Sequence, residues 1–211
     1  MIPLRDVIPS RTFPFFTVSF ILINSIAFLF EMSLPRRELQ QLWYAYGVVP
    51  ARVDVLSLFT SMFLHGGWGH FLSNMLFLWI FGDNVEDRLG HMRFVVFYLL
   101  CGAGAAVAHI YMNPTSMLPT IGASGAIAGV MGAYFVLYPH SRVLALAPLF
   151  IVVEVPAIIF LGLWFLMQLY YVGSTGTNVA FWAHIAGFAA GIVGVLVLRK
   201  PSRNRWRSEL T

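Results

Sequence analysis

Long, nearly uncharged apolar runs constrain the fold of this chain more than any other feature of its sequence. A helix needs roughly 20 apolar residues to cross the hydrocarbon core of a bilayer. Candidate runs lie at about residues 13–31, 56–81, 93–112, 124–139, 156–173 and 179–198. Hydrophobic residues make up 59% of the 211 residues and charged residues only 10%, a composition outside the range of soluble domains. The sequence therefore predicts an all-α membrane protein with six transmembrane helices.

Basic residues are distributed unequally between the two sides that six spans would define. Ten of the 13 basic residues lie on the side of the two termini. Because cytoplasmic segments are enriched in Lys and Arg, we expect both termini to be cytoplasmic. Residues 1–12 are then a cytoplasmic segment, residues 13–199 form the membrane domain, and residues 200–211 form a basic cytoplasmic tail. We expect the lipid bilayer, and not nucleic acid, to be the partner of this charge.

The loops between the runs differ in character. Residues 32–55 form a long outer connection with Trp43, Tyr44 and Tyr46 near its middle. Such aromatics suit the lipid headgroup region, but an ordinary surface loop explains them equally well. On the cytoplasmic side, the polar stretch GDNVEDRLGHM begins at residue 82. Its mixed charges predict a solvated, ion-paired turn.

Two further connections allow predictions, one about the depth of a carboxylate and one about the mobility of a loop. Residues 140–155 contain Glu154 close to two prolines, so we interpret this carboxylate as interfacial and not buried in the membrane. Residues 173–178 read GSTGTN; their glycines suit a moving lid, and we expect this loop and the fifth run together to form a gate.

The fourth apolar run is unusual because it is short and begins with a lone hydroxyl. From Ser124 to Pro139 it has 16 residues, about 24 Å of helix at 1.5 Å per residue. The preceding stretch carries Pro114 and Pro119 and is predicted to be non-helical chain that dips into the membrane. Irregular backbone at that depth needs protein or water around it. We therefore expect a water-accessible cavity with Ser124 at its floor, although a plain helix N-cap is the simpler explanation of this serine alone.

A histidine in the sixth run provides a possible partner for Ser124. His184 lies in AFWAHIAGFAAG and shares a helical face with Gly187, Gly191 and Gly194. Small residues also recur in the fourth run after Ser124, at Gly125, Ala128, Gly129 and Gly132. Two such faces let helix backbones approach closely. A serine next to a histidine is the nucleophile and base pair of acyl transfer.

Polar side chains in the second run could complete such a site. His65 lies at its outer end, and His70 and Asn74 are four residues apart on one helical face. Such groups are costly in lipid and are expected to line the cavity. There they would donate hydrogen bonds to the negative charge of a tetrahedral intermediate, together with the backbone amide of Ser124.

These motifs together resemble the rhomboid intramembrane serine proteases, from about residue 13 to residue 199. The resemblance rests on GASGA around Ser124, on His70 and Asn74 in an HxxxN pattern, on AHIAGFAAG around His184, and on GDNVEDRLG. It implies a six-helix bundle whose short fourth helix starts at mid-membrane depth. One departure is that Trp43 is followed by Tyr44, where members of the family often carry a Trp-Arg pair. How the first long loop docks is therefore left open.

The resemblance also implies the chemistry. Ser124 and His184 would form a catalytic dyad without an acidic member, and His70, Asn74 and the Ser124 amide would form the oxyanion site. The reaction would be hydrolysis of a peptide bond in or beside a transmembrane segment of another protein, without metal or other cofactor. Glycine at 122 and 125 would let the backbone turn sharply and make room for the scissile carbonyl.

Without a carboxylate, the imidazole of the dyad would have to be held by packing. Tyr170 and Tyr171 are candidates by position only, Tyr134 and Phe135 fit less well because they lie too deep, and the partner stays unassigned.

Other functions fit the sequence less well. A zinc protease would need an HExxH helix, and His65 and His70 are five apart with no acidic partner. A haem protein could use His70, His109 and His184 as ligands but would leave Asn74 and Ser124 unexplained. A catalytically silent relative that binds membrane clients is the main alternative. The compact layout favours a prokaryotic plasma membrane, and the oligomeric state is not predicted.

Overall fold

The chain is predominantly helical in a computed structural model that describes residues 1–173 and 179–198. Most of the lid sequence GSTGTN and the whole basic tail lie outside the described residues. The helices of the described part are α1 (Phe15–Ser33), α2 (Arg36–Tyr46), α3 (Ser57–Thr60), α4 (Trp68–Leu89), α5 (His91–Met112), α6 (Ser124–Leu137), α7 (Ala157–Tyr171) and α8 (Phe181–Leu198). The strands are β1 (Ile2–Asp6), β2 (Arg142–Leu146) and β3 (Val152–Pro156).

Several of the helices are apolar enough to cross a bilayer. Within the described residues, α1, α5 and α8 are long and apolar enough to span by length and composition. α6 and α7 are shorter apolar helices, of 14 and 15 residues. The chain is an integral membrane protein, as its composition predicted.

Helix α6 lies at the centre of the bundle. Ten of its 14 residues, Gly125 to Tyr134, are buried. It packs most extensively against α8 and then against α5 and α4, with α7 at the side. A helix that is apolar on all faces and surrounded by other helices is a core helix. Residues at the ends of α6 are therefore positioned by the helices that pack around it.

The second apolar run differs from its prediction at both ends. The predicted span began at residue 56, but α4 begins only at Trp68, after the short turns of α3 and a 3-10 segment, Ser61–Phe63. Gly67 precedes α4 with φ of 148°, a conformation that only glycine adopts without strain. α4 then continues to Leu89, eight residues beyond the predicted end of the span.

The polar stretch after residue 81 was predicted to be a solvated turn, and that prediction is wrong. It forms the last two turns of α4, and the side chain of Glu86 within it is completely buried. Glu86 accepts hydrogen bonds from the backbone amides of Phe16 and Thr17, at 2.9 and 2.7 Å, and from the Thr17 hydroxyl at 2.8 Å. Its Oε1 also lies 2.6 Å from Nδ1 of His91. Glu86 therefore satisfies the first turn of α1, whose amides have no partner within that helix.

A three-stranded antiparallel sheet, ordered β1-β2-β3, joins the N-terminal segment to the connection between α6 and α7. No strand was predicted there from the sequence, because short strands carry little sequence signal. Arg142 and Glu154 form an ion pair across β2 and β3, 3.1 Å apart, and both side chains are largely exposed. The expectation that Glu154 is not buried is confirmed.

The first long outer connection contains helix α2 and is attached to the bundle through Trp43. The indole Nε1 of Trp43 donates a 2.7 Å hydrogen bond to Glu31, a fully buried carboxylate at the end of α1. The same carboxylate accepts the backbone amide of His65 at 3.0 Å. No residue of α2 is buried. Glu31 therefore connects α2 to the segment that precedes α4.

Candidate active site

Backbone contact between α6 and α8 creates the site. A Cβ on Gly187 would overlap the carbonyl of Gly125, and one on Gly191 would overlap the carbonyl of Gly129. A Cβ on Gly132 would overlap the backbone of Phe188. The close approach predicted from the two small-residue faces is confirmed for these positions. It brings the N-terminal turns of α6 and α8 side by side.

Two glycines differ from their predicted roles. Gly194 was placed on the face toward α6, but a Cβ there would meet the ring of Phe97 on α5, at 3.0 Å. Gly125 was predicted to help turn the backbone, yet it is an ordinary residue of α6 whose added Cβ would meet Ala105 of α5, at 2.7 Å. Gly125 therefore serves helix packing, and the turn depends on Gly122, with φ of 124°.

Gly191→Ala is expected to destabilise the protein by about 1–3 kcal/mol, the usual cost of overpacking a tight core. The added methyl group would force α8 away from the backbone of Gly129. Unfolding in mixed detergent micelles measures the effect. Gly104→Ala on α5 is the matched control, because among the described residues no atom lies within 4 Å of its added Cβ. Equal stability of both variants would contradict the backbone contact.

Ser124 and His184 meet at this junction. Ser124 is the first residue of α6, His184 lies in the first turn of α8, and the Ser124 Oγ is 2.9 Å from Nε2 of His184. The helix N-cap is Ala123, and the Ser124 side chain makes no capping bond. The simpler explanation of this serine, an N-cap, is therefore wrong. Both residues are partly exposed in the structure.

The second ring nitrogen of His184 has a partner that was not predicted from the sequence. Nδ1 lies 2.8 Å from Oε1 of Gln168 on α7, and Nε2 of Gln168 donates to the carbonyl of Trp164 at 3.2 Å. The Trp164 ring also lies beside the imidazole, with centroids 5.8 Å apart. Gln168 has the only amide side chain in an otherwise apolar helix, and a polar residue in a membrane helix is a signal that could have identified it.

The aromatic candidates for holding the imidazole are not its partners. Tyr170 is 81% exposed, and the hydroxyl of Tyr134 donates to Asp6, 2.7 Å away in β1. The structure places the contacts of His184 on Gln168 and Trp164 instead.

His70 lies against the turn that precedes Ser124. A Cβ on Gly122 would meet the His70 imidazole at its Nε2 edge. Nδ1 of His70 accepts the backbone amide of Gly66 at 3.3 Å, so the proton of a neutral ring is on Nε2, the nitrogen nearest Gly122. His70 therefore presents an N–H donor beside the start of α6.

Asn74 is buried one turn further along α4. Its Nδ2 donates to the backbone carbonyl of His70 at 3.0 Å. One of its two N–H groups is therefore used within the helix, and the other is available for a ligand.

The loop between α5 and α6 is held by contacts with several elements. Val48 and Thr120 form an isolated antiparallel bridge, and the amide of Gly122 donates to the carbonyl of Ser61 at 2.8 Å. Nε2 of His109 lies 2.9 Å from the hydroxyl of Thr120. His109 thus supports the loop. The structure disfavours His109 and His184 as haem ligands, because protein groups already contact Nε2 of His109 and both ring nitrogens of His184.

The chain is similar in sequence to a known family of proteins. Residues 52–201 match the family described as Rhomboid domain. The chain is 31% identical over 153 residues to "Rhomboid protease GluP" of Bacillus subtilis, covering 72% of this chain and 28% of that protein. It is 32% identical over 93 residues to "Rhomboid protein 1, mitochondrial" of Saccharomyces cerevisiae, covering 42% and 27%. It is 34% identical over 110 residues to "Rhomboid-like protein 11, chloroplastic" of Arabidopsis thaliana, covering 52% and 38%. The chain therefore spans less than two-fifths of the length of each of these relatives.

Proposed function

The chain belongs to the rhomboid family, and from this membership we propose that it is a serine endopeptidase that cleaves membrane proteins within or beside their transmembrane segments. The observation that carries the proposal is the 2.9 Å contact between the Ser124 hydroxyl and Nε2 of His184. A serine within hydrogen-bond reach of a general base, with that base oriented by a third group, is the geometry of an activated nucleophile.

The reaction proceeds in two steps at this pair. Nε2 of His184 accepts the hydroxyl proton while Oγ of Ser124 attacks the scissile carbonyl carbon. The protonated imidazole then donates that proton to the leaving amine, and an acyl ester forms on Ser124. In the second step, His184 takes a proton from water as the water oxygen attacks the ester carbonyl, and it then gives that proton to Oγ of Ser124 as the acid product leaves.

The developing oxyanion is stabilised by donors around the start of α6. These are the Nε2–H of His70, the free N–H of Asn74 and the backbone amide of Ser124, which is unsatisfied within its own helix. The contact of His70 with the Gly122 turn supports this role. Each such donor contributes about 100- to 1000-fold in rate in serine proteases.

The membrane arrangement consists of six spans, formed by α1, α4, α5, α6, α7 and α8. Helix α6 has 14 residues, about 21 Å at 1.5 Å per residue, which is shorter than the hydrocarbon core. Ser124 then lies below the lipid surface, in a pocket that water reaches. Both ends of the membrane domain face the cytoplasm, because most of the basic residues lie on that side.

Substrates are transmembrane helices that unwind locally. In lipid a helix keeps its peptide groups internally paired, so a cleavable bond is exposed only where the helix is weak. Segments with Gly or Pro near the cleavage site meet this requirement.

The test uses purified protein in detergent, a model transmembrane substrate and a fluorophosphonate probe. We expect cleavage of the substrate, covalent labelling at Ser124 alone, and a rate unchanged by EDTA. A protein that binds the substrate without cleaving it and without reacting with the probe would instead be a silent membrane-client binder. Labelling at another serine would contradict the nucleophile assignment.

A further inference from the structure

We propose that Gln168 is a positioning residue for the reaction: its side-chain amide fixes the tautomer and orientation of His184. This inference rests on the proposed function, but the contacts that support it are those of Gln168 and not the contact between Ser124 and His184. Gln168 is 7% exposed, and its side chain is the only amide or charged group of α7. A buried polar group in a membrane helix is costly unless it is used.

The amide has one orientation that satisfies its neighbours. Oxygen and nitrogen of a glutamine amide are distinguished by their hydrogen bonds. The carbonyl of Trp164 accepts only, so the amide group 3.2 Å from it must be the NH₂. Oε1 of Gln168 therefore faces His184.

This orientation determines where the imidazole carries its proton. Oε1 of Gln168 is an acceptor, so Nδ1 of His184, 2.8 Å away, donates to it. In the neutral ring Nε2 is then the unprotonated nitrogen. Nε2 is the atom that faces Ser124. The amide thus holds His184 in the tautomer that can accept the serine proton.

An amide suits this position better than a carboxylate. In a catalytic triad the acid orients the histidine and stabilises its cation, but a buried carboxylate at membrane depth carries a large desolvation penalty. Gln168 supplies the orientation without the charge. Its position is itself set by helix α7, where the Trp164 carbonyl is one turn away.

Gln168→Met is the first test, because methionine keeps the length of the side chain but removes the acceptor. We expect kcat to fall about 10- to 100-fold with little change in KM. This decrease is larger than the effect of losing one neutral hydrogen bond and smaller than the effect of losing the correct tautomer entirely. Labelling of Ser124 by the fluorophosphonate probe is expected to slow by a similar factor. Tyr170→Phe on the same helix is the matched control, since this side chain is 81% exposed, and its kcat is expected to equal that of the unaltered protein.

Gln168→Glu gives a readout that a purely structural residue would not change. A carboxylate next to Nδ1 stabilises the imidazolium, so the acidic limb of the pH–rate profile is expected to move to higher pH. Among the described residues, His70 of α4 and His109 of α5 are the other titratable side chains whose charge affects His184. Both are unaltered in this variant, and a displaced limb is therefore due to position 168.

The outcomes separate this inference from the proposed function. If the unaltered protein neither cleaves nor reacts with the probe, the proposed function fails. If it cleaves, and Gln168→Met retains full kcat, the inference is overturned while the proposed function stands. Should Gln168→Met prove poorly folded, the glutamate variant decides: an acidic limb at its original pH overturns the positioning role.

Discussion

Ser124→Ala is expected to reduce cleavage of a transmembrane substrate by about 10,000-fold or more, the loss seen when a serine protease loses its nucleophile. The alanine variant keeps α6 intact, because Ser124 makes no capping bond and alanine is a good helix former. Cleavage is measured by single-turnover kinetics in detergent micelles. Ser25→Ala is the matched control: the Ser25 hydroxyl donates to the carbonyl of Ile21 within α1, and its removal is expected to leave the rate unchanged.

His184→Ala is expected to cause a loss of similar size, because the hydroxyl of Ser124 is a weak nucleophile without its base. The double variant is expected to be no slower than either single variant, since residues that act as one unit are not additive. His140→Ala, which removes an exposed histidine between α6 and β2, is the control. Losses that multiply in the double variant would contradict a dyad.

Glu86→Ala is expected to destabilise the protein by about 3–5 kcal/mol, because it leaves several hydrogen-bond donors without an acceptor. The donors are the amides of Phe16 and Thr17, the Thr17 hydroxyl and the ring of His91. The amides belong to the first turn of α1, where a negative charge also interacts favourably with the helix dipole. Unfolding in mixed detergent micelles measures the loss.

Glu154→Ala is the control for that measurement. Its side chain is 48% exposed and pairs with Arg142 in the sheet, and exposed pairs contribute about 0–1 kcal/mol. If the Glu86 and Glu154 variants are equally stable, the buried contacts of Glu86 with α1 are not important for the fold.

The contrast between the two glutamates shows where sequence interpretation fails. Both lie in connections between apolar runs; Glu86 was predicted to be solvated and Glu154 to be interfacial. Glu154 is near solvent, whereas Glu86 is buried beneath the first turn of α1. Nothing close to Glu86 in the sequence indicates this, because its main partners, Phe16 and Thr17, precede it by about 70 residues.

The candidate site shows the same division. The motifs around Ser124 and His184 predicted a meeting of these side chains, and the small residues of both helices predicted the close approach that allows it. Gln168 had no comparable pattern around it. Its contact with His184 depends on how α7 packs beside α8, and the rotation of a helix in a bundle is set by its neighbours.

By itself, the sequence determined that the chain is a membrane protein, roughly where most of its long apolar helices lie, and which two helices approach most closely. These properties follow from the length of apolar runs and from glycines that lack a side chain, and both are local to a segment. Only the folded chain determined the extension of α4 to Leu89, the strands that join the N-terminal segment to the α6–α7 connection, and the partners of Glu86 and His184. These features depend on hydrogen bonds or packing between different segments of the chain. Many polar groups could serve as the partner in such a contact, and only the three-dimensional arrangement determines which one does.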